Sequence, residues 1–136
     1  MIVLDTSVLS IAFRRARTKS HEEPPVVLVL RELVVGDRPL GIPGIVLQEI
    51  LAGVPSPERH RSLLASLDGF QLLLADRTTH IRAAAISTDC RAAGFLASAT
   101  DCLIAAEALQ RGRSLFTLDA DFERIAQVAP LKLFRH

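Results

Sequence analysis

The chain has 136 residues, 49% of them hydrophobic and 23% charged, and its 16 basic side chains against 15 acidic ones give a net charge of +1. That composition fits one cored domain over 1–136 and excludes a disordered tail or a coiled coil. The near-neutral balance excludes a protein that grips duplex nucleic acid by bulk charge alone.

Ile2-Val3-Leu4 is a short apolar run ending at Asp5 and predicts a buried strand. From Thr6 to about Arg17, Val8, Leu9, Ala12 and Phe13 fall on one side and predict a helix. Pro24-Pro25 opens and Gly36 closes VVLVLRELVV, which predicts a helix over 26–35 despite its β-branched residues. Being apolar almost all round, that helix is either deeply buried or partly faces a partner. A second strand is predicted over 40–42, and Pro43-Gly44 then turns into the helix IVLQEILA, stopped by Gly53. Ser56-Pro57 caps a helix running to Leu67. A third strand (70–74) precedes a long helix (76–93) ended by Gly94, and Ser98 begins a helix to about Gln110. A fourth strand (114–118), a short helix (120–127) and a final strand (131–134) complete the chain. Strands alternating with helices predict an α/β protein, a three-layer α/β/α sandwich around a mainly parallel sheet.

In such a sheet the strand C-termini share one edge, and ligands bind outside it. Asp5 ends the first strand, and Asp119 ends the fourth. Asp101 lies in the first turn of the helix leading into the fourth, and Glu49 in the helix after the second. All four carboxylates are expected at one edge, with Asp37 and Asp68 at the other. Aspartates at helix starts are also ordinary caps, and Asp5, Asp119 or Asp121 could serve as such. Glu49 is different. It lies inside its helix, with Ile45, Val46, Ala52 and Gly53 one turn away, and no basic residue lies within a turn. A carboxylate facing that side is expected to need a cation, the alternative being that Glu49 simply rotates into water. Asp76, opening DRTTHIRAAAI, reads as a plain cap.

Clustered carboxylates without ammonium partners cannot all stay ionised unless a cation joins them. Oxygen-only ligands favour Mg2+, with Mn2+ as a substitute, over zinc. A metal so held can activate water and clamp a phosphodiester, so the chemistry expected is metal-assisted phosphodiester hydrolysis. Cys90 and Cys102 have no metal-type spacing and read as small core residues. The four histidines share no spacing of a zinc site or catalytic base. There is no Gly-rich phosphate loop and no G-x-S-x-G elbow.

Four segments, I-V-L-D-T-S-V-L at 2–9, L-Q-E-I-L-A-G at 47–53, A-T-D-C-L-I-A-A at 99–106 and F-T-L-D-A-D-F at 116–122, carry a resemblance in order and spacing across nearly the whole length. The chain resembles the PIN domain family, in particular its VapC-type toxin endoribonucleases of bacterial toxin–antitoxin pairs. The resemblance implies a magnesium-dependent RNase site of Asp5, Glu49, Asp101 and Asp119. Of these, Asp5, Asp101 and Asp119 would be metal ligands, with Asp121 as a candidate fifth carboxylate. Thr6, Ser98 and Thr117 match positions that support such a site by holding a carboxylate or a bound water. It also implies an RNA substrate, a homodimer and a cognate antitoxin that inserts a segment near the acidic cleft. The segment before Pro24 is longer and more basic than the family requires.

Arg14, Arg15, Arg17 and Lys19 in that segment could contact an RNA backbone, or could simply be cations at a solvated helix end. Arg111 and Arg113 flank a turn and read as structural. The absence of Trp and Tyr argues against an extended base-stacking platform. The opening MIVLDTSVLS has no leading basic region, and no run reaches the roughly 18–20 apolar residues of a membrane span, so a cytoplasmic chain is expected. Two alternatives stand beside the nuclease. A haloacid dehalogenase would carry a second aspartate where Ser7 stands, and a receiver would carry an acidic pair near strand one. A catalytically silent PIN-like module kept only to bind a partner would be expected to have lost one or more of the acids.

Overall fold

The computed structural model describes residues 1–15 and 24–135, without the side chains of Arg14 and Arg15. The predicted helix end at Arg17 and the candidate RNA contacts Arg14, Arg15, Arg17 and Lys19 therefore lie outside what is described.

The elements follow in the order β1 (Ile2–Leu4), α1 (Thr6–Arg15), α2 (Pro25–Val35), β2 (Leu40–Pro43), α3 (Gly44–Ala52), α4 (Pro57–Leu67), β3 (Gln71–Leu73), α5 (Arg77–Ala92), α6 (Ala99–Gln110), β4 (Ser114–Phe116) and α7 (Asp121–Val128). The four strands pair in the order β3-β2-β1-β4, all parallel, with Ile2 opposite Leu40, Val3 opposite Leu115 and Ile42 opposite Leu72. Helices flank this sheet, as the alternating pattern predicted. β1 is buried along its whole length, so Ile-Val-Leu can be apolar on both faces. Chain order runs outward from β1 through β2 to β3, then crosses back to place β4 on the other side of β1. The order thus reverses between β1 and β4, and a crevice opens beyond their C-terminal ends.

Local chemistry accounts for the helix boundaries. Pro25 and Pro57 sit at first helical positions, where no amide hydrogen is needed. The Ser56 hydroxyl accepts from the Arg59 amide, and Asp76 Oδ1 accepts from both the amide and the hydroxyl of Thr79, so both predicted caps are present. Gly94 and Gly112, just past α5 and α6, adopt φ of +95° and +63°, which side chains resist.

β3 is trimmed to Gln71–Leu73, and two other expected strands differ more. β4 stops at Phe116 rather than 118 because the amides of Leu118 and Asp119 bond to side-chain hydroxyls instead of a neighbouring strand. The predicted strand 131–134 reduces to one parallel bridge, Leu115 to Leu133, made by Leu115 N to Lys132 O and Phe134 N to Leu115 O.

Val3, Leu4, Leu115 and Phe116 form the centre of the core with Phe122 and Ile125 from α7. Cys90 and Cys102 are buried within it as free thiols, and burial raises both above the ordinary thiol range. The composition did not signal Glu107, which is 1% exposed. Its Oε2 meets Arg111 Nε at 2.9 Å, while Arg111 also donates to the Leu74 carbonyl, so Arg111 is structural as expected. On α2, Val26, Leu30 and Leu33 are buried while Leu28, Val34 and Val35 are exposed, so that apolar helix is only partly used by the domain. No helix among the described residues is long and apolar enough to cross a membrane.

Candidate active site

β1 delivers Asp5 to the crevice, and the turn into α1 delivers Thr6 and Ser7 beside it. Asp5 is 4% exposed. Its Oδ2 accepts two hydroxyls, Thr117 Oγ1 at 2.7 Å and Ser7 Oγ at 2.8 Å. Each hydroxyl accepts in turn from a backbone amide, Thr117 from Asp119 N at 3.0 Å and Ser7 from Leu118 N at 2.9 Å. Two donor–acceptor relays therefore stitch the β1–α1 corner to the loop between β4 and α7. Among the described residues Asp5 Oδ1 has no hydrogen-bond partner, which leaves it the oxygen available to a ligand.

That loop carries Asp119 and Asp121. Asp119 lies three residues beyond β4 and so does not end the strand, as predicted, but belongs to the turn that Thr117 begins. Its Oδ1 accepts from the Asp121 amide at 2.9 Å, so it shapes the entry to α7, although Ala120 is the helix-capping position. Ser98 caps α6 by accepting from the Asp101 amide at 3.0 Å, which fixes Asp101 in the first turn.

Asp101, Asp119 and Asp121 each offer a carboxylate oxygen, and these oxygens lie within 4.8 Å of one another. Burial pushes the Asp101 carboxyl up from 3.8 to about 6, and the charges of Asp119, Asp5 and Asp121 push the same way, while the Ser98 hydroxyl pulls it down. The ion pairs Arg111–Glu107 and Arg135–Glu123 involve none of these acids. Three hard oxygens, mutually repelling at one point, with Asp101 half-buried and Asp119 and Asp121 exposed, fit a small divalent cation.

Glu49 corrects an expectation. Its side chain does not face the core but is exposed. The apolar residues one turn away, Ile45 and Val46, lean into the fold, while Glu49 points outward, and its Oε1 accepts from Thr6 Oγ1 at 2.7 Å. It is thereby held one residue from Asp5, yet it is outside the tight trio of oxygens. Thr6 supports Glu49, Thr117 supports Asp5, and Ser98 supports Asp101. Sequence reasoning missed Ser7, the second hydroxyl on Asp5. Its signal was the polar pair Thr6-Ser7 opening a helix whose next two residues are buried.

A PIN domain family model matches residues 2–128. The chain belongs to the PIN domain family. Ribonuclease VapC11 of Mycobacterium tuberculosis is 37% identical over 89 residues, which is 64% of this chain and 66% of that protein. VapC ribonuclease Mb1587 of Mycobacterium bovis aligns with the same figures. The match thus spans a little under two thirds of the length of these curated relatives. Among solved structures, VapBC2 from Rickettsia felis bound to a promoter DNA fragment superposes with a TM-score of 0.79 at 21% identity, covering 98% of both chains. FitAcB from Neisseria gonorrhoeae gives 0.75 at 24%, covering 99% of this chain and 97% of that one. A toxin–antitoxin complex from Klebsiella pneumoniae gives 0.71 at 18%, covering 98% and 100%. At these identities the superpositions speak to the fold, and the chain shares the PIN fold along nearly its whole length.

Proposed function

We propose that this PIN domain is a Mg2+-dependent endoribonuclease, the toxin of a toxin–antitoxin pair, hydrolysing RNA phosphodiester bonds in the cytoplasm. The observation that carries it is the meeting of Asp101, Asp119 and Asp121 within 4.8 Å at the crevice that Asp5 also enters. The similarity to named VapC ribonucleases supports the reaction and substrate, and the toxin–antitoxin complex among the structural neighbours supports an antitoxin partner. The exposed apolar residues of α2 support a protein contact there, consistent with a homodimer or the antitoxin.

Asp5, Asp101 and Asp119, joined by Asp121, would hold the metal; Asp5, Glu49, Asp101 and Asp119 form the catalytic set. A bound divalent ion supplies Lewis-acid activation of water and neutralises phosphate charge. The chain's own residues do the rest. Ser7 and Thr117 hold Asp5 at one oxygen and leave the other free. Thr6 fixes Glu49, whose second oxygen is available to accept a proton from an attacking water or to orient it. Without a cation, Asp101 holds its proton up to about pH 6; above that the ionised acids repel a polyanion, and a bound cation would offset that charge.

The test is cleavage of RNA by the purified chain with Mg2+, with Mn2+ and with EDTA, alongside Asp5→Asn and Asp101→Asn. Cleavage should require the metal and be lost in both variants, which should remain folded by circular dichroism. Full activity in both, with EDTA ineffective, would remove the proposal.

A further inference from the structure

A cleft of about 410 Å³ opens beside the acidic site between α1, α3 and α4. Its wall contains Glu49, which therefore belongs to both the site and the cleft. From the Thr6–Glu49 contact, α1 runs along the cleft with Ser10 and Phe13, the residues four and seven positions after Thr6. The facing side of α4 presents Arg59, Ser62, Leu63 and Ser66, again at spacings of three, four and seven. We propose that this cleft is a binding subsite for a single ribonucleotide of the substrate flanking the scissile phosphate; this rests on the nuclease reading above.

The chemistry of the wall selects the occupant. Half of it is polar, with three serine hydroxyls, and an amphipathic protein helix would ask instead for a continuous apolar floor. Hydroxyls that both donate and accept suit a base edge or a ribose, whose own groups do the same. Ser66 Oγ spends its proton on the Ser62 carbonyl at 3.1 Å and keeps its lone pairs as acceptors. Phe13 is half-buried and gives one ring for one base to lie on, which suits a chain with no Trp or Tyr for a longer platform. The Arg59 side chain is exposed, with no hydrogen bond or ion pair among the described residues, and is a free guanidinium at the mouth for a phosphate. The volume lies near the lower end of ligand sites, roughly 300–1,000 Å³, and so admits one nucleotide rather than a strand. The rim is also fixed in advance: His60 Nε2 donates to the Val54 carbonyl at 2.7 Å and pins the α3–α4 turn that lines the cleft.

The test separates this subsite from the nuclease reading. Backbone amide shifts of the full chain are followed in EDTA while each ribonucleoside 5′-monophosphate is added to the wild type, to Arg59→Ala and to Ser62→Phe, which fills the cleft from an exposed position. Saturable shifts are expected around Ser10, Phe13, Val54 and Ser62, with binding weakened by about tenfold or more in each variant. On short oligoribonucleotides with Mg2+, Ser62→Phe should raise KM by about tenfold and leave kcat nearly unchanged, since no carboxylate is touched. Absence of saturable shifts overturns the subsite even if RNA is cleaved. Shifts that persist in a wild type unable to cut RNA overturn the nuclease reading, and the cleft remains a nucleotide site. If Ser62→Phe binds mononucleotides and cuts RNA normally but no longer binds a protein partner, the cleft is a protein-docking surface and the proposal falls.

Discussion

The hydroxyl of Thr117 donates to Oδ2 of Asp5 at 2.7 Å although 112 residues of chain separate them. Ser7 donates to the same oxygen, and both hydroxyls accept from consecutive amides of the loop that carries Asp119. Position of the first acid and position of the last are thus set by one network. Thr117→Val keeps the shape but deprives a buried carboxylate oxygen of one donor and the Asp119 amide of its acceptor. A stability loss of about 1–3 kcal/mol is expected, with RNA cleavage down by about tenfold or more as Asp119 loses its fixed place. Ser7→Ala should cost a similar amount, and the double variant should cost less than the sum, since both act on one oxygen. Urea denaturation and initial rates check this; strict additivity in both measurements would show that the two relays are independent.

Glu49 and Thr6 make a second long-range pair, 43 residues apart. Glu49→Gln can still accept the Thr6 hydroxyl through its amide oxygen but has no charge. It should fold with stability within about 0.5 kcal/mol of the parent, because the side chain is exposed. Its activity should fall by about a hundredfold if the carboxylate handles a proton. Thr6→Val should fall by less, because it frees Glu49 without neutralising it. A Gln variant with full activity would reduce Glu49 to a wall of the neighbouring cleft.

Much of this arrangement was legible from residue order. The apolar triplet before Asp5 places that acid at a strand C-terminus, and parallel topology brings Asp119 to the same edge, although from the loop after β4 and not from the strand end that the sequence suggested. Helix caps such as Ser56, Asp76 and Ser98 follow from the chemistry of the first turn, and each is present. What was not legible depends on three-dimensional rotation and on rare pairings. Glu49 was expected to turn inward because its turn neighbours are small or apolar, yet a short helix can bury Val46 and Ile50 while Glu49 reaches the crevice. The role of Ser7 depends on the fold, which brings the Leu118 amide of the loop after β4 to its hydroxyl. The cleft along α4 left no trace in sequence, because Arg59, Ser62 and Ser66 read as a solvated helix face.

Asp76 offers a contrast to the site acids. Like Asp5 it follows a strand, but its Oδ1 only caps α5 through Thr79, which holds its carboxyl below the ordinary aspartate range. Asp76→Ala should lower the urea midpoint through loss of the cap and leave metal-dependent RNA cleavage unchanged. Loss of activity in a folded Asp76→Ala protein would extend the site beyond the crevice.

Glu107 is nearly fully buried, and its Oε1 has no hydrogen-bond partner among the described residues, so the ion pair to Arg111 is what compensates its charge. Arg111→Ala strands that charge. Because the arginine is itself about one third exposed, the expected loss is moderated to about 2–3 kcal/mol. Arg111→Ala with Glu107→Leu should recover most of it, since no buried charge remains. A double variant no more stable than Arg111→Ala, measured by urea denaturation, would mean that the charge was not the cause.

Asp101 makes the acid cluster's cost measurable without any substrate. Its carboxyl titrates near 3.8 in an unfolded chain and near 6 in the fold, first through burial and then through the neighbouring acids. The folded state therefore holds the proton more tightly. Between about pH 4 and pH 6 the unfolded chain has released a proton that the native chain retains, so stability falls as pH rises through that window and the loss is complete above it. Discounted for the half-exposed position, the ionised group costs the metal-free protein about 1–2 kcal/mol at neutral pH. Asp101→Asn removes that cost. In EDTA at about pH 7.5 it should be more stable than the wild type by that amount, and near pH 4 the two should coincide. Added Mg2+ should then raise the midpoint of the wild type by mass action and move that of Asp101→Asn little. An Asn variant less stable than the wild type in EDTA at pH 7.5 would show that Asp101 is stabilised by its surroundings and not strained by them, and would remove the electrostatic reason for a cation at this site.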